Sequence, residues 1–253
     1  MRIARLVLIS AFLYSLVLIV QSCKKDDSVK VFGYGNFGFI NASPLDQSID
    51  LYTKNVDDEN AQSIKYNSDS TFSFVSPKFS YAQITQGNYL FDVKPAGKSN
   101  TLKIDTLGFN EGGYYSAFML TKKDTANRDS NFIVSFKDDL ISSTAPQRAK
   151  IRFLNFSPDA PALDLAIADT TLAPIASNRI FPSRDGGFIE IDASSSLILQ
   201  IRQNGTSDVR YELPAFNARA GYLYTIYAKG YWNRDSTGTK AFSAVRIQNK
   251  DNQ

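Results

Sequence analysis

The chain has 253 residues, with 28 basic and 25 acidic side chains, a formal net charge of +3, one cysteine and no histidine. The missing histidine excludes Ser-His-Asp and Cys-His nucleophile systems and histidine-based zinc or copper sites, and a lone cysteine excludes an internal disulfide. No Lys/Arg block longer than a pair such as Lys24-Lys25 and no zinc-finger or helix-turn-helix pattern occurs, which argues against nucleic acid as a partner.

At the N-terminus, Arg2 and Arg5 give a short cationic start, followed by an apolar run over residues 6–20 broken by Ser10, Tyr14 and Ser15. The run is shorter than the roughly 20 residues a spanning helix needs and reads as a secretory signal. The alternative is an uncleaved membrane anchor. With Ser22 before Cys23, the junction resembles that of a bacterial lipoprotein, which implies a cleaved signal peptide over 1–22, acylation (palmitate-type) at Cys23 and attachment to a membrane through the lipid. Lys24-Lys25-Asp26-Asp27-Ser28 begins a flexible tether over 23–30. It resembles the export signal of Bacteroidetes surface lipoproteins, which implies an outer-membrane protein facing the cell exterior. Removing Arg2 and Arg5 leaves 28 − 2 = 26 bases against 25 acids, so the mature chain is near neutral.

The rest of the chain is duplicated. Phe39-Ile40-Asn41-Ala42-Ser43-Pro44 reads against Phe153-Leu154-Asn155-Phe156-Ser157-Pro158 at a shift of 114, and Ile49-Asp50-Leu51 falls on Leu163-Asp164-Leu165. Farther on, Leu90-Phe91-Asp92-Val93-Lys94 aligns with Ile198-Leu199-Gln200-Ile201-Arg202, Gly97 with Gly205, and Gly113-Tyr114 with Gly221-Tyr222, now at a shift of 108. Asn127-Arg128-Asp129-Ser130 recurs as Asn233-Arg234-Asp235-Ser236. The expected organisation is one domain over 31–140, a linker at 141–148 marked by Ser142, Ser143, Thr144 and Pro146, and a second domain over 149–253. Each should enclose its own core, with few contacts across the linker.

Both repeats read as β-structure. Leu163, Leu165 and Ile167 alternate with polar or small residues, as do Leu197, Leu199 and Ile201. Asn204-Gly205 predicts a type I′ hairpin turn between strands at 197–203 and 207–213, with a looser Pro95-Ala96-Gly97 loop between 89–94 and 101–107. Aromatic-rich strands are predicted at 114–120 and 222–228, and closing strands at 132–136 and 242–247. No long capped helix is predicted. Six or seven short strands per repeat suggest an all-β fold of two tandem immunoglobulin-like sandwiches.

The turn and strand Asn155-Phe156-Ser157-Pro158-Asp159-Ala160-Pro161-Ala162-Leu163-Asp164 resembles domain-of-unknown-function family 4397. The resemblance implies secreted or surface β-sandwich domains, often in tandem, and no particular activity. The first repeat diverges, with Leu45 at the position of Asp159 and Gln47 at that of Pro161.

Several constellations carry candidate chemistry. Asp50 and Asp164 are either calcium ligands, the latter beside Asp159, or carboxylates accepting hydrogen bonds from the Asn-x-Ser-Pro turn; no dense acidic loop supports a calcium site. Gly33-Tyr34-Gly35-Asn36-Phe37-Gly38 imitates a glycine fingerprint but precedes a strand, not a helix, so no nucleotide site is expected. The loop bearing Tyr231, Trp232 and Arg234 combines rings and a cation suited to a sugar or a surface protein, or it covers the end of a sandwich. Asp-Ser/Thr followed by a small apolar residue or Thr recurs at Ser28, Ser70, Thr106, Thr125, Thr170 and Ser236 where roughly one would be expected by composition. These resemble O-glycosylation acceptors of Bacteroidetes envelope proteins, while Asp-Ser and Asp-Thr are also good turn formers. The leading expectation is a non-catalytic surface lipoprotein, without cofactor or metal, that serves binding, adhesion or envelope structure. An accessory glycan-binding lipoprotein of a nutrient-uptake system is the alternative, and a histidine-free hydrolase a remote third.

Overall fold

Apolar and polar residues alternate along 87–95 and 199–203, which gives strands with one buried face. Other segments carry unbroken apolar runs, such as Ala117-Phe118-Met119-Leu120, and these become strands buried on both faces. The computed structural model describes residues 33–45, 47–66, 71–123, 126, 128–168, 173–233 and 238–250. The described residues of 33–253 belong to one compact unit. The first half supplies β1 (Tyr34–Asn41), β2 (Ile49–Asn55), β3 (Ile64–Lys65), β4 (Ala82–Thr85), β5 (Gly87–Pro95), β6 (Lys103–Phe109), β7 (Tyr114–Lys123) and β8 (Asp129–Lys137). The second supplies β9 (Arg148–Asn155), β10 (Leu163–Ile167), β11 (Ala176–Arg179), β12 (Ile189–Asp192), β13 (Ser194–Leu197), β14 (Leu199–Gln203), β15 (Val209–Glu212), β16 (Phe216–Ala218), β17 (Leu223–Lys229) and β18 (Ser243–Lys250). Among the described residues every regular element is a strand.

The sheets repeat with the sequence. In the first half the orders are β3-β2-β5-β6 and β4-β1-β7-β8; in the second they are β11-β10-β14-β15 and β12-β9-β17-β18, with β13-β16 as a small extra pair. The duplication extends to register, because β1 runs parallel to β7 (Asn41 opposite Met119) as β9 does to β17 (Asn155 opposite Ala228). Phe37, Phe39, Leu51, Phe91 and Met119 fill the space between the first two sheets. Phe153, Leu165, Leu199 and Ile226 do the same in the second half.

A third core joins the halves, and it overturns the expectation of sparse contact across 141–148. Ile40, Phe118, Leu120, Val134 and Phe136 pack against Leu154, Phe156, Tyr227 and Ile247. The Phe118 ring lies 4.8 Å from that of Phe156 and 5.7 Å from that of Tyr227. Four sheets therefore stack, and the two inner ones bury both faces. Alternation along β1, β7, β9 and β17 is lost for that reason: odd and even side chains enter different cores.

A second correction concerns the hairpin at Asn204-Gly205. Gly205 has φ +74° while Asn204 is not in the left-handed region, so the turn is not type I′. It closes by a Thr206 N–H to Gln203 carbonyl bond of 3.1 Å, and the supposedly looser loop closes alike, from Lys98 N–H to the Pro95 carbonyl at 3.0 Å with Gly97 at φ +69°.

Candidate binding cleft

Strand β3 pairs with only Tyr52 and Thr53 of β2, and the chain leaves that sheet after it to join the other sheet of the first half as β4. Backbone bonds hold the start of this crossing: Tyr66 N–H to the Leu51 carbonyl (2.7 Å) and a reciprocal pair between Phe72 and Ile49 (2.8 and 3.0 Å). The buried Asn41 side chain adds a bond to the Phe72 carbonyl at 3.2 Å, and the Tyr66 hydroxyl donates to the Phe37 carbonyl at 2.5 Å. Farther on, the ring of Phe79 lies directly on Gly38; a Cβ there would come within 2.4 Å of the ring, so glycine is required by space. Residues 71–73 and 76–80 of this crossing line an open cavity of about 660 Å³, together with Phe39, Asn41, Tyr66 and Ala82.

The floor of the cavity is aromatic. Phe72 meets Phe39 edge-on at 5.0 Å and lies nearly parallel to Tyr66, with ring centres 6.4 Å apart. Thr71, Ser73, Ser76 and Ser80 bring hydroxyls to the wall, and Lys78 brings a cation. The second half helps to hold this wall: Lys229 of β17 donates to the Phe74 carbonyl, with its ammonium 4.1 Å from the Phe74 ring centre. Burial pushes the Lys229 pKa down from 10.5 to about 8.

The cleft escaped the sequence reading, yet a signal for it existed. Between the anchors Leu51 and Leu90 the first repeat has 90 − 51 = 39 steps, and between Leu165 and Ile198 the second has 198 − 165 = 33. The six extra residues fall in the interval that builds the cleft wall.

The carboxylates singled out earlier serve backbone turns. Asp164 accepts from Asn178 N–H (2.8 Å), Asn204 Nδ2 (2.9 Å) and Gly205 N–H (3.2 Å). Asp50 accepts from Gly97 N–H at 3.0 Å and pairs with Lys65 at 2.9 Å. Both carboxylates thus bind a hairpin glycine, and neither accepts from the Asn-x-Ser-Pro turn. That turn closes on its own asparagine: Asn41 Oδ1 accepts from Ser43 N–H, and Asn155 Oδ1 from Ser157 N–H, at 3.0 and 3.1 Å. Asp159 points elsewhere, accepting from the backbone N–H groups of Trp232 (2.6 Å) and Asn233 (3.1 Å). Asp159 and Asp164 thus hold different loops.

The Tyr231-Trp232 pair does not form an exposed platform. Tyr231 is 7 % exposed, so its ring is closed to a ligand. Trp232 is half-buried against the second core, meets Phe242 edge-on at 5.0 Å and carries the Arg210 guanidinium 5.0 Å from its ring centre. Arg210 also donates to the Trp232 carbonyl at 2.5 Å. Asp159 sets the chain so that the indole folds inward. Of the acceptor-like positions, Thr106 is exposed on β6; Ser28, Ser70, Thr125, Thr170 and Ser236, together with Cys23 and Arg234, lie outside the described residues.

Where the inner sheets meet, a polar network is sealed from water. Arg152 donates to Asp138 Oδ1 (2.5 Å), Ser116 Oγ (2.9 Å) and Thr225 Oγ1 (2.6 Å), between the rings of Phe136 and Phe188. Tyr81 donates to Asp138 Oδ2 at 2.6 Å and accepts from Asn249 Nδ2 at 3.0 Å. Burial, and then the Asp138 charge, drive the Tyr81 pKa well above its usual value.

A family model described as a domain of unknown function (DUF4397) matches residues 35–166, just over half of the chain. No curated protein matches. A solved structure described as "Alpha-glucan binding by a streptococcal virulence factor" is similar over 76 % of this chain and 92 % of its own, at 10 % identity and a TM-score of 0.22.

Proposed function

The chain belongs to the DUF4397 family of domains of unknown function, and we propose that it is a non-catalytic, lipid-anchored protein of the bacterial outer surface that binds its ligand in the cleft of the first half. The observation that carries this reading is the cleft itself, whose volume of about 660 Å³ falls in the range of small-molecule sites. The carboxylates support it from the other side. Asp50, Asp159 and Asp164 hold backbone turns and Asp138 holds Arg152, so these groups are occupied in structure. The lipid anchor rests on Cys23 and its preceding apolar run.

In this reading each half is an immunoglobulin-like sandwich, and the two are docked in tandem. Tyr115, at the start of β7, accepts a bond from Asn110 N–H at 3.1 Å, and Tyr224 of β17 accepts from Arg219 N–H at 3.1 Å. A tyrosine that ties a strand start to the backbone a few residues upstream is a device of such sandwiches. An accessory glycan-binding role in nutrient uptake is the form of binding that the aromatic and hydroxyl lining favours. The test is a screen of the mature chain, from Cys23 onward, against glycans and purified surface proteins, combined with acylation and surface-protease assays in cells. Capture of a ligand by acylated, protease-accessible protein is expected. Capture of nothing, or turnover of a substrate, would overturn the reading.

A further inference from the structure

Resting on the assignment of the cleft as a binding site, we propose that its ligand is a carbohydrate bearing an acidic group. The floor and wall supply the three kinds of contact such a ligand needs. Tyr66 and Phe72 lie nearly parallel, at an interplanar angle of 14°, and are both only half-buried. Aromatic faces of this kind accept the C–H face of a sugar ring. Around them Ser73, Ser76 and Ser80 each offer one donor and two acceptor positions, which matches the mixed donor and acceptor character of sugar hydroxyls.

Charge narrows the class. Among the described residues lining the cavity, Lys78 is the one charged side chain. An ammonium at the mouth of a cavity attracts an anionic group and repels a cationic one. Lys78 is exposed, so it reaches a substituent that projects from the stacked ring without itself losing water. Lys229 lies behind the wall, where it donates to the Phe74 carbonyl, and adds to the local positive potential. A cationic peptide is disfavoured by both lysines. An acidic saccharide uses the rings, the hydroxyls and the ammonium together.

The experiment uses the full mature chain and calorimetric titration with uronic-acid and sialic-acid oligosaccharides, each beside its carboxyl-reduced, neutral form. At least one acidic saccharide should bind, and its neutral form about tenfold more weakly, as the loss of a charge-assisted contact requires. Lys78→Gln should remove that preference, so that the acidic and neutral forms bind alike. Ser76→Trp, at an exposed wall position, should fill the cavity and abolish binding, with the β-sheet circular-dichroism signal retained. Saccharide binding that survives both substitutions would overturn this inference and leave a binding protein with its site elsewhere. Capture of proteins but no saccharide would sink the carbohydrate class and keep the binding role. Only a mature chain that captures nothing would defeat both.

Discussion

The two halves share the strand order of their four-stranded sheets and their register, yet they differ where they face each other. At the 114-residue shift Gly38 of β1 corresponds to Arg152 of β9, and both point toward the other half. Glycine there admits the ring of Phe79 and so shapes one side of the cleft. Arginine there occupies the sealed network with Asp138, Ser116 and Thr225. Leu120 and Lys229 diverge in the same way at a shift of 109: one is an apolar member of the shared core, the other holds the cleft wall. Duplicated strands kept their own cores alike and became complementary at the joint. The cleft is consequently a property of the pair, because Lys229 comes from the half that does not line it.

Breaking the joint should have the largest effect. Arg152→Ala leaves Asp138 buried without its cation, and such a loss typically costs about 3–5 kcal/mol. Urea unfolding should show a single transition displaced to lower denaturant. Replacing both partners, Arg152→Met with Asp138→Leu, should recover much of the loss, since no uncompensated charge remains. A double variant as unstable as Arg152→Ala would mean that the hydroxyl partners, and not the ion pair, hold the joint.

Removing the hairpin carboxylates should sharpen the comparison. Asp164 holds three donors of its own half, and Asp50 holds one backbone donor and Lys65. Bonds to charged groups contribute about 1.5–3 kcal/mol, so Asp164→Ala should fall at the upper end and Asp50→Ala at the lower. Equal losses, read from thermal midpoints, would show that the extra donors at Asp164 are redundant.

Much of this was legible in sequence where one face of a strand is buried. Leu163–Ile167 is a strand with the expected limits, and the Asp-to-hairpin relation hides only in its partner, because residues 41 positions apart must meet. The docked halves were not legible as such. Runs like Ala117-Phe118-Met119-Leu120 have no alternation to assign them to a face, and only an added layer of sheet explains them. For Trp232 the sequence left two readings open, a ligand contact or a cover for the end of a sandwich, because the residue that holds its backbone, Asp159, lies 73 positions away. The cleft was hidden because it is made by irregular chain, for which neither period of the hydrophobic pattern gives a signal.

The Lys229 contact gives a pH test of the same joint. Its folded pKa of about 8 lies below the ordinary 10.5, so from pH 8 upward the unfolded chain holds a proton that the folded chain has released. Stability should therefore rise with pH from about 8 toward 10. Above about 10 the sign reverses, because burial raises the pKa values of Tyr66, Tyr81 and Tyr227 and the folded state keeps protons that unfolded tyrosines lose. Denaturant midpoints across this range should peak near pH 10. In Lys229→Met the rising limb should vanish and the falling limb remain; an unaltered rise would assign it to another group.

The smallest expected effect tests whether the two hairpins are as equivalent as their bonds indicate. Gly97 and Gly205 have φ of +69° and +74°, and a Cβ at either position would meet nothing within 4 Å. Alanine therefore introduces no clash at either site, and its cost is that of holding an L-residue in the left-handed region, about 1 kcal/mol. The N–H of each glycine still reaches Asp50 or Asp164 in the substituted chain, since the bond uses backbone. Gly97→Ala and Gly205→Ala should thus lower stability alike, within a few tenths of a kcal/mol. Gly38→Ala is the contrast, because there the ring of Phe79 must move and the cleft should change along with stability. If Gly205→Ala proved much costlier than Gly97→Ala, the Asn204 bond to Asp164 would be the reason: a shifted turn would pull away a side chain that the first hairpin, with Ala96 in its place, does not have.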